Sequence, residues 1–120
     1  MRITQMAIPA AFPLVPDPLT DSRGRFHEAF RAEALSAATG HSFTAVQANY
    51  SVSRRNTLRG LHGTLLPPGQ SKIVTCLRGA IRDVVVDLRV GSPTFGMYEV
   101  VILDAESGRA VFLADGLGHA

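Results

Sequence analysis

The feature that most constrains this chain is a series of six short runs, FTAVQANYSV, TLRGLHGTLL, SKIVTCL, AIRDVVVDL, MYEVVILD and AVFLA. Each is rich in β-branched residues and bounded by Gly, Pro, Asp, Asn or Ser. Such runs read as strands, and the separators SRRN, PPGQ, RGA, RVGSPTFG and DAESG read as turns. Only RAEALSAATG, Arg31 to Gly40, reads as a helix, with its glycine suited to the position just past a helix C-terminus. Regularly spaced short strands with one brief helix near the N-terminus predict an all-β sandwich or small barrel rather than βαβ units. No repeat, low-complexity tract or linker divides the 120 residues, and an apolar share of 46% is ample for one packed core.

Charge narrows the function classes. The formal charge is +2, and the arginines are spread along the chain, which argues against a nucleic-acid surface but is compatible with a small-anion site. Cys76 is the only cysteine and lies in the apolar run KIVTCL, so it reads as a buried, inert thiol in a reducing, cytoplasmic compartment. The uncharged stretch ITQMAIPAAFPLVP is short and broken by three prolines. It makes a poor signal peptide and cannot span a bilayer, so no membrane partner is expected.

Lys72 is the only lysine beside 11 arginines, ten residues after His62 and just past a Pro-Pro-Gly turn. If TLRGLHGTLL pairs with SKIVTCL through a five-residue loop, His62 lies opposite Val74 and Lys72 opposite Thr64, so both basic residues face one way. A loop one residue shorter separates them. On a shared interior face they suit removal of a proton next to a ketone. A neutral imidazole is the base, and a compact ammonium stabilises the growing enolate oxygen better than arginine's planar fork. Otherwise His62 is an ordinary strand histidine and Lys72 a surface lysine beside a turn.

Other residues leave paired readings open. Gln47 and Asn49 share one strand face, which is either packed with its amides partnered or solvated. The segment DSRGRFHEAF is either a turn with its charges in water or, through Arg23 together with Arg59, a phosphate clamp. Asp83 lies on one face with Val85 and Asp87, where it either pairs with and orients Lys72 or sits in solvent on an edge strand. A metal site is not expected. Thr64 stands where His-x-His would need its second histidine, and His27, His41 and His119 lie singly.

Four ordered blocks, DSRGRFHEAF, QANYSVSRRNTLRGLH, PPGQSKIVTCLRGAIRDVVVDLRVGSPTFG and LADGLGHA, closely resemble the dTDP-4-dehydrorhamnose 3,5-epimerases and related 3-epimerases of deoxysugar biosynthesis. The resemblance implies a cupin-type double-stranded β-helix, a jelly-roll barrel, that needs no metal or other cofactor. It implies a homodimer that epimerises C3, C5 or both of a dTDP-4-keto-6-deoxyhexose. His62 is then the general base and Lys72 the partner of the ketone oxygen. Arg59, Arg23 and Glu28 contact the diphosphate and nucleotide, while Gln47, Asn49 and His119 line the substrate.

There are two departures from the family pattern. Gly63 replaces the aromatic residue that usually follows the base histidine. The family also continues past the counterpart of Ala120 into strands bearing a proton-donating tyrosine and an aspartate that orients the base. Residues 1–120 are thus expected to form one epimerase-like domain truncated at its C-terminus. The alternative is a catalytically silent cupin that binds a nucleotide sugar or serves for dimerisation.

Overall fold

Every residue of Ala110–Leu113 is buried, and this strand organises the larger sheet of the computed structural model, which describes residues 1–120. The strands in chain order are β1 (Arg2–Ile3), β2 (Ala11–Val15), β3 (Leu19–Asp21), β4 (Gly24–Phe26), β5 (Lys72–Thr75), β6 (Ala80–Asp87), β7 (Tyr98–Asp104), β8 (Ala110–Leu113) and β9 (Leu117–His119). One helix, α1 (Ala32–Thr39), lies between β4 and β5, and Gly40 closes it in the left-handed conformation, φ 74°. This is the mostly-β chain with a single short helix that the turn-punctuated runs predict.

One antiparallel sheet has the order β1-β2-β8-β5, another the order β7-β6-β9, and β3 pairs with β4 alone. Because side chains alternate along a strand, β8 serves two cores. Val111 and Leu113 join Ile8, Val85, Val101, Leu103 and Leu117 between the two larger sheets. Ala110 and Phe112 turn the other way, onto Phe12, Leu14 and Leu35 of α1. A continuous apolar run is what a strand buried on both faces requires. On β6, Asp83, Val85 and Asp87 are all buried on the interior face.

Asp87 is fully buried and ties several segments together. Its carboxylate accepts from Arg89 Nε and Nη2 at 2.9 and 2.8 Å, from Ser92 Oγ at 2.7 Å and from Thr94 Oγ1 at 2.5 Å. Arg89 Nη2 also donates to the Pro9 carbonyl at 3.0 Å. The β3–β4 hairpin is exposed and is tethered to the body by Arg25, whose Nη1 donates to the Glu106 carbonyl at 2.8 Å.

Two predicted strands are not formed. Residues 41–71 contain no strand beyond a single bridge at His62, although FTAVQANYSV and TLRGLHGTLL have strand composition. A strand exists only with a ladder partner, and this segment has none. Its Val46, Tyr50, Leu58 and Leu65 are all more than two-thirds exposed. The expected hairpin between TLRGLHGTLL and SKIVTCL is likewise replaced by a non-local pairing, with Lys72 opposite Leu113 and Val74 opposite Val111.

Candidate active site

β9 is short, but two partners position it. Val85 and Asp87 of β6 lie opposite His119 and Leu117, and beyond that ladder His119 bridges His62. The His62 N–H donates to the His119 carbonyl at 3.0 Å and the His119 N–H to the His62 carbonyl at 2.9 Å. This bridge brings the two imidazole rings to 4.5 Å between centroids, tilted by 47°.

Each ring is held at one nitrogen. His62 Nδ1 lies 3.0 Å from the Gly60 carbonyl oxygen. A carbonyl only accepts, so the proton of the neutral ring sits on Nδ1 and the lone pair is on Nε2. His119 Nδ1 donates to Asp83 Oδ1 at 3.0 Å. Asp83 is only 2% exposed, and its Oδ2 is buried with no partner. β6 is the central strand of its sheet, so Asp83 is not the solvated edge residue of one sequence reading. Nor is it paired with Lys72: its side-chain partner is His119.

Lys72 reaches the same interior from the opposite sheet. Directly opposed residues share a face, so Lys72 lies on the side of Leu113, which packs in the core with Val85 and Leu117. Lys72 is half-buried. Lys72, Asp83 and His119 therefore face the space between the two larger sheets, with His62 exposed at its margin. The arrangement combines an imidazole with a free nitrogen, a second imidazole fixed by a carboxylate, and an ammonium supplied from across the interior.

The remaining sequence-derived candidates make their side-chain contacts with other residues. Arg59 donates from Nε and Nη2 to Ser53 Oγ at 3.2 and 2.9 Å. Arg23 grips Asp21 through Nε and Nη2, the shortest contact being 2.6 Å, and its guanidinium holds that carboxyl below the usual carboxylate range. Glu28 pairs with Arg31 at 2.5 Å. Gln47 Nε2 donates to Asn49 Oδ1 at 3.0 Å, and both residues are exposed, so their shared face is solvated. Arg59 Nη1 and Arg23 Nη1 take no part in these contacts, which leaves each guanidinium an edge for an oxyanion.

No group of three or more His, Cys, Asp or Glu side chains is gathered for a metal ion. His41 packs on the Phe12 and Phe112 rings. No helix is long and apolar enough to cross a membrane. Sequence reasoning missed the His62–His119 contact and the Asp83–His119 bond. LGH is too short and glycine-rich to announce a strand, and the only available signal was that Asp83 fell on the same alternating face as the apolar Val85.

A family model described as dTDP-4-dehydrorhamnose 3,5-epimerase matches residues 5–120. The chain is 48% identical over 120 residues to a dTDP-4-dehydrorhamnose 3,5-epimerase of Mycolicibacterium smegmatis, covering all of this chain and 60% of that protein. Among solved structures, NovW is a 4-keto-6-deoxy sugar epimerase from the novobiocin biosynthetic gene cluster of Streptomyces spheroides. It matches with a TM-score of 0.95 at 46% identity, over 99% of this chain and 60% of that one. ChmJ, a 3′-monoepimerase from Streptomyces bikiniensis in complex with dTDP-quinovose, matches with a TM-score of 0.86 at 49% identity, over 95% and 58%. The chain thus spans about 60% of the length of these relatives. With such neighbours the architecture is that of the cupin-like jelly roll.

Proposed function

The chain belongs to the dTDP-4-dehydrorhamnose 3,5-epimerase family, and on that premise we propose that it acts on a dTDP-4-keto-6-deoxyhexose by enolisation next to the ketone. His62 Nε2 takes the proton from C3 or C5. The bonding pair moves into the ring and the carbonyl oxygen becomes an enolate, which the Lys72 ammonium stabilises as a point charge. His119, whose Nδ1–H is held by Asp83, keeps a fixed ring orientation beside the base and presents its Nε2 lone pair there. Arg59 and Arg23 hold the diphosphate through their free guanidinium edges, and Glu28, Gln47 and Asn49 serve the nucleotide and sugar. Net inversion also needs an acid on the opposite sugar face. The resemblance assigns that acid to a tyrosine in the part of the relatives that this chain does not span.

The observation that carries this reading is the contact of the His62 and His119 rings at 4.5 Å, with Asp83 on His119 and Nε2 of His62 left free, while Lys72 lies on the interior face of the opposite sheet. None of these proton transfers calls for a metal or organic cofactor, and a single free, buried Cys76 fits work in the reducing cytoplasm. The test is proton NMR of dTDP-4-keto-6-deoxyglucose in deuterium oxide, where the protein removes the C3 or C5 proton signal. Binding of the sugar nucleotide without any such loss favours the silent, nucleotide-sugar-binding alternative.

We assign the protein to a homodimer as well. On the outer face of β6 and β7, Val84 and Val86 lie opposite Val100 and Tyr98, and Tyr98, Val100 and Ile102 are each at least 45% exposed. A contiguous apolar sheet face of this kind marks an interface. Sedimentation velocity on the chain is expected to give a dimer, and a monomer at all concentrations removes this assignment.

A further inference from the structure

Two glycines flank the His62–His119 bridge, and neither has a backbone conformation that demands glycine. A β-carbon on Gly118 would stand 2.5 Å from Leu88 Cδ1, 3.2 Å from Leu88 Cγ and 3.3 Å from the His62 carbonyl oxygen. One on Gly63 would meet the Leu117 carbonyl oxygen at 3.4 Å, and Gly118 Cα and Leu88 Cδ1 at 3.5 Å. The contacts at Gly63 are ordinary van der Waals distances, so it is the missing side chain of Gly118 that leaves a notch beside the paired backbones, and the Leu88 methyl fills it and touches Gly63. Leu88 follows Asp87 and precedes Arg89, so the Asp87–Arg89 pair fixes the backbone on both sides of it. Leu88 itself is 39% exposed, more than an ordinary core leucine, and it would swing out readily if the notch were filled.

We infer that Leu88 is a positioning residue: seated between Gly63 and Gly118, it holds the His62 and His119 backbones in register and thereby keeps their rings in contact. The catalytic consequence rests on the reading of His62 as the base, whereas the packing claim does not. The two backbone hydrogen bonds of the bridge are local, so loosening them leaves the neighbouring pair between Val84 and Ala120 intact at 2.9 and 3.0 Å. That pair separates a local effect from a general loss of stability.

The test is native-state hydrogen exchange of the His62 and His119 amides against those of Val84 and Ala120, in wild type, Leu88→Ala, Leu88→Met, Gly118→Ala and the Leu88→Ala/Gly118→Ala double variant. Leu88→Ala is expected to speed the two histidine amides about tenfold relative to the control pair, by local opening. Leu88→Met restores protection, because an unbranched side chain of similar volume refills the notch. Gly118→Ala evicts the leucine with the same effect, and the double variant is no worse than either single one, as contacting residues are non-additive. Equal acceleration of both pairs, or none in Leu88→Ala, overturns the inference. With wild type active in the deuterium assay, Leu88→Ala is expected to lower kcat while leaving KM in place. An unchanged kcat with loosened amides overturns the catalytic part. Inactive wild type with the expected amide pattern instead counts against the proposed function and leaves the packing claim standing.

Discussion

Asp83 and His119 form the one buried side-chain pair in which a carboxylate fixes an imidazole, at 3.0 Å. The second oxygen of Asp83 has no partner, which makes the residue costly to bury as an anion. Orientation of a ring that faces His62 is what that cost supports. Asp83→Asn is expected to lower the deuterium-exchange rate at least tenfold, on the pattern of other residues that orient a histidine. The melting temperature should hold or rise, because the buried charge is gone. Thermal scans beside rate measurements check both halves. A melting temperature that falls with activity unchanged would make Asp83 structural only.

Asp87 carries the opposite expectation. Arg89 foremost, then the Thr94 and Ser92 hydroxyls, hold its carboxyl far below the ordinary carboxylate range against the opposing effect of burial. The folded state therefore binds this proton less readily than the unfolded chain. Its contribution is complete above the unfolded value, near pH 4, and is lost as pH falls through the range below it. Asp87→Asn strands the Arg89 guanidinium and is expected to cost about 3 kcal/mol near neutral pH. The deficit should shrink below about pH 4, as read by urea unfolding at several pH values. A deficit independent of pH would contradict the ionic account.

Lys72→Arg tests the point-charge argument. A guanidinium keeps the charge but presents a planar fork in place of a compact ammonium. The variant should bind dTDP like wild type while losing most of its exchange activity. Full activity would show that any cation on the Leu113 side of β5 suffices.

Gly108→Ala probes how the Arg23-bearing hairpin is docked. Gly108 has φ 63°, and a β-carbon there would lie 2.8 Å from His27 Nδ1. The left-handed conformation alone costs an alanine about 1 kcal/mol, and the ring must also move. Faster tryptic cleavage at Arg23 and Arg25 is expected, partly reversed by adding His27→Ala. Unchanged cleavage would mean that the ring does not hold the hairpin.

The legible parts of the fold were those whose evidence is local. β5 to β8 could be read because β-branched runs and turn residues sit side by side, and α1 because Gly40 ends it. β2 was hidden by the prolines around Phe12, and β9 by its length. The segment from Phe43 to Leu66 misled because composition reports strand preference while only a partner makes a strand. At the site, alternation placed Asp83 and Asp87 on one face, but the partner of Asp83 lies on a strand far along the chain. The His62–Lys72 hairpin failed for the same reason: β5 pairs with β8 rather than with its sequence neighbour, so loop length never set the register. The resemblance supplied candidate roles, and Gly63 departed from its pattern. In the structure a β-carbon there would only touch Leu88 Cδ1, at 3.5 Å, and it is Gly118 that leaves room for the leucine.

The central claim is that His62 removes a carbon-bound proton next to the ketone. The most direct measurement is the C3 and C5 proton signals of dTDP-4-keto-6-deoxyglucose in deuterium oxide, followed with the protein and with His62→Ala at equal concentration. The account expects one or both signals to vanish with the protein and to persist with the variant. Equal loss with both, or retention of both signals with the protein, would contradict it.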